Sequence, residues 1–176
     1  MLGRIPKRIE NFRGKYSFLS NFYASNVKIH GINYTSAEHA YQAQKSLDKQ
    51  VQLLISGLKY PGQAKKYGST ITLRPDWGII RIEIMAYIIL NKFYQNTYIG
   101  DLLLNTCPST LVEGNWWGDT FWGIDMKSGS GENWLGEILM KVRHDLPMVR
   151  NNPDVIENQY GKIGRGYRDE WKKRII

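Results

Sequence analysis

The sequence predicts an α+β fold: a compact, mostly helical single domain with a few short strands. Three observations carry that prediction. Apolar residues alternate over 27–34, capped helical runs follow one another over 35–104, and a glycine- and tryptophan-rich stretch over 111–131 precedes one more helical stripe. The first segment, Ile9 to Tyr34, has β character, with Val27-Lys28-Ile29 and Ile32-Asn33-Tyr34 alternating around His30-Gly31 as a hairpin does. Thr35-Ser36-Ala37-Glu38 fits a capping box, a hydroxyl at the N-cap and a carboxylate three residues on, and opens a helix to about Leu47. A second helix spans about Lys49 to Ile55 and ends at Gly57. Pro61 to Tyr67 reads as a short helix with proline in its first turn.

Pro75 starts a longer helix. Ile79, Ile82, Ile84, Met85, Ile88, Ile89 and Phe93 cover most of its circumference, which predicts a central, buried position. Ile99, Leu102 and Leu103 mark one more helix before Cys107-Pro108. Between Leu111 and Gly131 short apolar runs are broken by five glycines, and Trp116, Trp117, Trp122 and Trp134 fall within 116–134. That texture suits short strands and ligand-contacting loops. Asn133 to Leu146 is helical again, with Leu135, Ile138, Leu139 and Val142 on one stripe, and Pro147 is expected to stop it.

The domain is therefore placed at 9–146, followed by a basic, polar tail over 147–176. At 176 residues the chain holds one domain comfortably, and 42% apolar with 23% charged residues is a globular composition. The net charge of +8 is uneven: residues 1–50 carry 8 basic and 3 acidic groups, residues 51–146 carry 9 of each, and the tail carries 7 and 4. Basic ends around a neutral middle suit an anionic ligand gripped by the N-terminal part. A single cysteine, Cys107, excludes a disulfide framework and a cysteine zinc site. His30, His39 and His144 lack metal-ligand spacing, so no metal is expected. No Walker, Rossmann or nucleophile-elbow motif is present. The polar start and the interruption of the greasiest stretch by Arg81 and Glu83 favour a soluble, cytoplasmic protein away from membranes.

Four groups of residues could carry chemistry. Glu38, Gln42 and Lys45 share one helix face at i, i+4 and i+7, setting a carboxylate, an amide and an amine together. Glu38 serving only the capping box and Lys45 being merely solvated stay open beside that reading. Asp119-Thr120-Phe121-Trp122-Gly123 sets an acid among aromatics, suited to a site where a planar base stacks and a cation develops, or else a surface acid beside core tryptophans. Arg74-Pro75-Asp76-Trp77 places an aromatic in the first turn of the long helix, facing a pocket or simply anchoring the helix start. Arg13-Gly14-Lys15, before Phe18 and Phe22, could hold phosphate and flank a ring, or be a solvated loop.

Taken in order, these segments resemble the NADAR (YbiA-like) family. The matching runs are Phe18-Leu-Ser-Asn-Phe22, Ser36-Ala-Glu-His-Ala-Tyr-Gln-Ala-Gln-Lys45, Arg74-Pro-Asp-Trp77, Lys92-Phe93, Leu111-Val-Glu113, Asp119-Thr-Phe-Trp-Gly123 and Gly131-Glu-Asn-Trp-Leu-Gly136. The resemblance implies a helical α+β domain acting on nucleotide-like ribosides without a cofactor. It implies cleavage of the bond between ribosyl C1 and a base nitrogen. One branch removes ADP-ribose from modified guanine in nucleic acid; another hydrolyses phosphoribosylamino-pyrimidine intermediates of riboflavin synthesis. It casts Glu38, Lys45 and Asp119 as catalytic, with Lys45 acting as a neutral amine. Arg13, Lys15, Phe18, Asn21, Phe22, Gln42, Trp77, Trp122, Gly123 and Asn133 are then the substrate contacts. Position 78 is glycine where the family is more polar, and the tail lies outside the resemblance. The basic ends favour ADP-ribosylated nucleic acid as partner over a ribosylated small molecule. A module that binds ADP-ribose or NAD without turnover is the rival class, disfavoured because Glu38, Lys45 and Asp119 are all present.

Overall fold

A computed structural model describes residues 6–156. The hairpin forms where alternation placed it: β2 (Val27–Ile29) pairs antiparallel with β3 (Ile32–Tyr34), and Val27, Ile29, Ile32 and Tyr34 turn inward. β1 (Arg8–Ile9) runs parallel to β4 (Thr110–Leu111), and β5 (Gly114–Asn115) runs parallel to β6 (Ile124–Asp125). The stretch between β1 and β2 is not wholly extended, because Gly14–Leu19 winds into a 3-10 helix that buries Phe18 and Leu19.

The helices are α1 (Ala37–Ala43), α2 (Lys49–Ser56), α3 (Pro61–Gly68), α4 (Trp77–Gln95), α5 (Thr97–Leu104) and α6 (Trp134–Asn151). α4 is the axis of the molecule, packed by α1, α5, α6 and β2. Its residues from Ile82 to Phe93 are all buried, whereas Ile79 in its first turn points outward and is 64% exposed. The result is a mostly helical α+β domain around one core.

Two boundaries differ from the sequence expectation for physical reasons. α1 starts one residue later than the capping box implied: Ser36 is the N-cap, and its hydroxyl accepts from the backbone N–H of His39 at 3.3 Å. Glu38 is thereby released from capping. α1 also ends at Ala43, four residues before Leu47. At the other end Pro147 does not stop α6. Its missing N–H costs one helical bond, but the apolar stripe continues through Leu146 and Val149 into the core, and Ile156 packs there too. Arg150 fastens the extra turn to α5, donating to Asp101 at 2.6 Å and to the Thr97 carbonyl at 3.1 Å. The tail's Gly-Arg-Gly stretch falls outside the described residues.

Candidate active site

A cleft of about 680 Å³ opens between two walls of different construction. α1 and α4 form the helical wall. Glu38 and Gln42 are one turn apart on α1, and Gln42 Nε2 donates to Glu38 Oε1 at 2.8 Å. Lys45 sits just beyond the helix, where the Lys45 N–H bonds back to the Gln42 carbonyl and keeps it on the same face. From α4 come Trp77, Arg81 and Met85, spaced i, i+4, i+8, so one face of that helix lines the same cleft. Tyr41 joins the two helices, its ring 5.1 Å from Trp77 and 5.4 Å, edge-on, from Trp122 across the cleft.

The loop wall runs from Glu113 to Trp122 and is organised by side chains that hold backbone. Buried Asn115 donates to the carbonyls of Asp119 (2.6 Å) and Ile124 (3.1 Å), while its Oδ1 accepts from the Asp119 N–H at 2.9 Å. Asp119 Oδ1 in turn accepts from the N–H groups of Phe121 and Trp122, at 3.0 and 2.9 Å, leaving Oδ2 as the oxygen available to a ligand. Within this turn Trp116 and Trp117 are 61% and 60% exposed, and Trp117 lines the cleft. The floor on the third side is the 11–22 loop. Lys92, fully buried on α4, donates to the carbonyls of Phe18 (2.7 Å) and Ser20 (2.8 Å), and the Asn21 carbonyl accepts from the Glu38 N–H at 3.0 Å. Those bonds fix Asn21 and Phe22 against the cleft.

Burial dominates the electrostatics. It raises the Glu38 carboxyl above the usual carboxylate range, opposed by the Gln42 hydrogen bond and by Lys65 and Lys45. It lowers the Lys45 ammonium, which Glu38 counteracts and Lys65 reinforces. The direction is the one an amine must take to act as a nucleophile or base near neutral pH. Lys45 Nζ donates to the Gly68 carbonyl at 3.2 Å and lies 5.9 and 6.0 Å from the rings of Tyr41 and Trp77. The Tyr41 phenol is pushed upward by burial and stays protonated.

The cleft brings together Glu38, Lys45, Asp119, Arg13, Asn21, Phe22, Gln42, Trp77 and Trp122. Lys15, Phe18, Gly123 and Asn133 do not line it. Lys15 is solvated beside Tyr16, and Phe18 is a core residue packed edge-on against Phe93. Gly123 is a packing position, where a Cβ would collide with the Glu113 carbonyl. Asn133, at φ +54°, donates to the Leu111 carbonyl and accepts from the Glu113 N–H, both at 3.0 Å. Sequence reasoning missed Arg81, Lys65, Tyr41 and Glu113 as cleft residues. The four-residue step from Trp77 to Arg81 was a usable signal, whereas Lys65 arrives only through the packing of α3 on α1.

Among the described residues no group of three or more His, Cys, Asp or Glu could hold a metal ion, and no helix is long and apolar enough to cross a membrane. The chain is 35% identical over 137 residues to the N-glycosidase YbiA of Escherichia coli, covering 77% of this chain and 84% of that protein. It is 37% identical over 136 residues to an N-glycosidase of Nostoc punctiforme, covering 74% and 86%. A riboflavin biosynthesis protein of Vibrio vulnificus is 39% identical over 133 residues, 74% of this chain but only 36% of that longer relative. The solution structure of E. coli YbiA superposes with a TM-score of 0.72 at 33% identity, covering 83% of this chain and 89% of that one. Residues 10–147 match the NADAR domain, and the chain belongs to the NADAR domain family.

Proposed function

We propose that this protein hydrolyses the N-glycosidic bond of a ribosylated base, and that its substrate is ADP-ribosylated guanine in nucleic acid. The observation that carries the reaction class is the convergence of Glu38, Lys45 and Asp119 on one cleft walled by Trp77 and Trp122. Relatives that align along most of their length are named N-glycosidases, which supports the same class. Breaking the bond from ribosyl C1 to a base nitrogen builds positive charge on C1 and the ring oxygen. The Glu38 and Asp119 carboxylates offset that charge where surrounding aromatics thin out the water. Lys45, uncharged, either adds to C1 or takes a proton from the water that does. Trp77 and Trp122 stack on the departing base or exclude solvent, and Arg13, Lys65 and Arg81 supply cations for phosphate.

Two features favour a base carried by a strand. Trp117 lines the cleft and is 60% exposed, free to stack a neighbouring base, and the exposed cations Arg13 and Lys65 line the same cleft. A second reading, hydrolysis of a free phosphoribosylamino-pyrimidine, is favoured by relatives named for riboflavin biosynthesis. A chromatographic assay separates them: purified protein meets guanine-ADP-ribosylated DNA in one tube and a phosphoribosylamino-pyrimidine in another, with Lys45→Ala beside each. Release of ADP-ribose from the DNA, lost in the variant, is the expected result. Cleavage of the pyrimidine alone transfers the protein to the second reading. Silence in both tubes with retained ADP-ribose binding makes it a binding module.

A further inference from the structure

Glu113 stands in the same cleft as Glu38, Lys45 and Asp119. Its backbone is clamped on both sides. Asn133 Oδ1 accepts from the Glu113 N–H at 3.0 Å, the Ile124 N–H donates to the Glu113 carbonyl at 2.9 Å, and Gly123 lacks the Cβ that would strike that carbonyl. Gly114 follows, where a Cβ would collide with the Glu10 carbonyl. Gly123 and Asn133, which do not reach the cleft themselves, therefore fix one carboxyl group within it. Its Oε2 is buried and has no hydrogen-bond partner. A buried carboxyl oxygen left without a partner is costly in a resting protein, and that cost disappears when a ligand atom meets it.

We propose that Glu113 is the proton donor to the departing base. The inference rests on the N-glycosidase reading and adds the acid that reading lacks. As the C1–N bond breaks, its electron pair passes to the base nitrogen, which takes the Glu113 proton and leaves as neutral base. Water then adds its oxygen to C1, either with Lys45 taking its proton or by displacing Lys45 from C1, and that one proton passes on to restore the Glu113 carboxyl. Glu38 and Asp119, on the same cleft, keep the separate task of offsetting the charge that builds on the ribose. This divides the carboxyl groups of the cleft between a proton donor and charge-stabilising partners. The surroundings agree: burial and the charge of Asp119 push the Glu113 carboxyl up to about 7, against the pull of Arg13, Lys65 and Lys92.

The test couples rate to protonation. Base release by wild type is followed from pH 5 to 9 on both substrates named above, while the Glu113 carboxyl is titrated in the same protein by carbon-13 NMR, assigned by its loss in Glu113→Gln. The expected result is a kcat that falls as the Glu113 resonance loses its proton, and a Gln variant at least about 100-fold lower in kcat with KM within about threefold. A wild-type kcat flat through that titration overturns the proposal without recourse to the variant's fold. So does a Gln variant within about tenfold of wild type, or one whose loss lies in KM. A wild type that releases base from neither substrate fails the N-glycosidase reading itself, and the proton donor falls with it.

Discussion

The helical wall and the loop wall of the cleft place their functional groups by different physics. On α1 and α4 a residue's direction follows from its number: Glu38, Gln42 and Lys45 share a face, and so do Trp77, Arg81 and Met85. On the loop wall direction is set by side chains gripping backbone. Asn115 closes the 115–119 turn, Asp119 caps the next one, and Asn133 reaches across from the start of α6 to hold Glu113. The first wall tolerates change at many positions so long as the helix period survives. The second depends on a few buried amides and on glycines where no Cβ fits.

The sharpest way to break that comparison is to remove the working groups of the helical wall. Lys45→Ala is expected to lower kcat by about 10³-fold or more with a native melting curve, since nucleophile or base loss is uncompensated. A rate within tenfold of wild type removes Lys45 from the chemistry. Next comes the loop wall: Asn133→Ala strands the Glu113 N–H and the Leu111 carbonyl. It is expected to cost about 2–3 kcal/mol in urea unfolding together with most activity. A change below about 0.5 kcal/mol, the scatter of ordinary surface substitutions, shows that the wall is held by other means.

Glu113 sharpens the contrast through pH. In the folded chain its carboxyl holds a proton to about pH 7, against an ordinary value of 4.5, so its contribution to stability is fully present below 4.5 and lost as pH rises through 7. Glu113→Gln is therefore expected to match wild type in stability near pH 4 and to exceed it by about 1–2 kcal/mol at pH 8. Thermal melts at the two pH values check this, and equal melts at pH 8 contradict it. Trp117→Ala is expected to weaken binding of single-stranded DNA about 5–20-fold while leaving hydrolysis of a free ribosylated base nearly unchanged. Equal DNA affinity assigns the exposed pair another purpose. The smallest effect belongs to the cap: Ser36→Ala should cost about 1 kcal/mol, and no shift in melting returns the capping role to Thr35.

The same contrast explains what was legible in the sequence. Periodicity located the hairpin, the helices α1 to α6 and the shared face of Glu38, Gln42 and Lys45, because alternation and 3.6-residue spacing are local properties, but it passed over Tyr41 and Arg81 on the same wall. It erred where tertiary burial outweighs a local signal, at Pro147 inside α6 and at the one-residue shift of the α1 cap that frees Glu38. The motif residues Gly123 and Asn133 were visible as candidates, yet their contacts run to Glu113, ten and twenty positions away. Lys92 stood in a run of matching residues, but only the packed structure reveals it holding the loop that carries Asn21 and Phe22.

The central claim is that both walls act on a single bond-breaking step. It is tested most directly by the rate of base release from four proteins: wild type, Glu38→Gln, Asp119→Asn and the double variant. Groups stabilising one transition state lose their effect together, so the double variant is predicted to fall within about tenfold of the slower single variant. Losses that multiply in full, or a single variant as fast as wild type, would contradict a shared catalytic site.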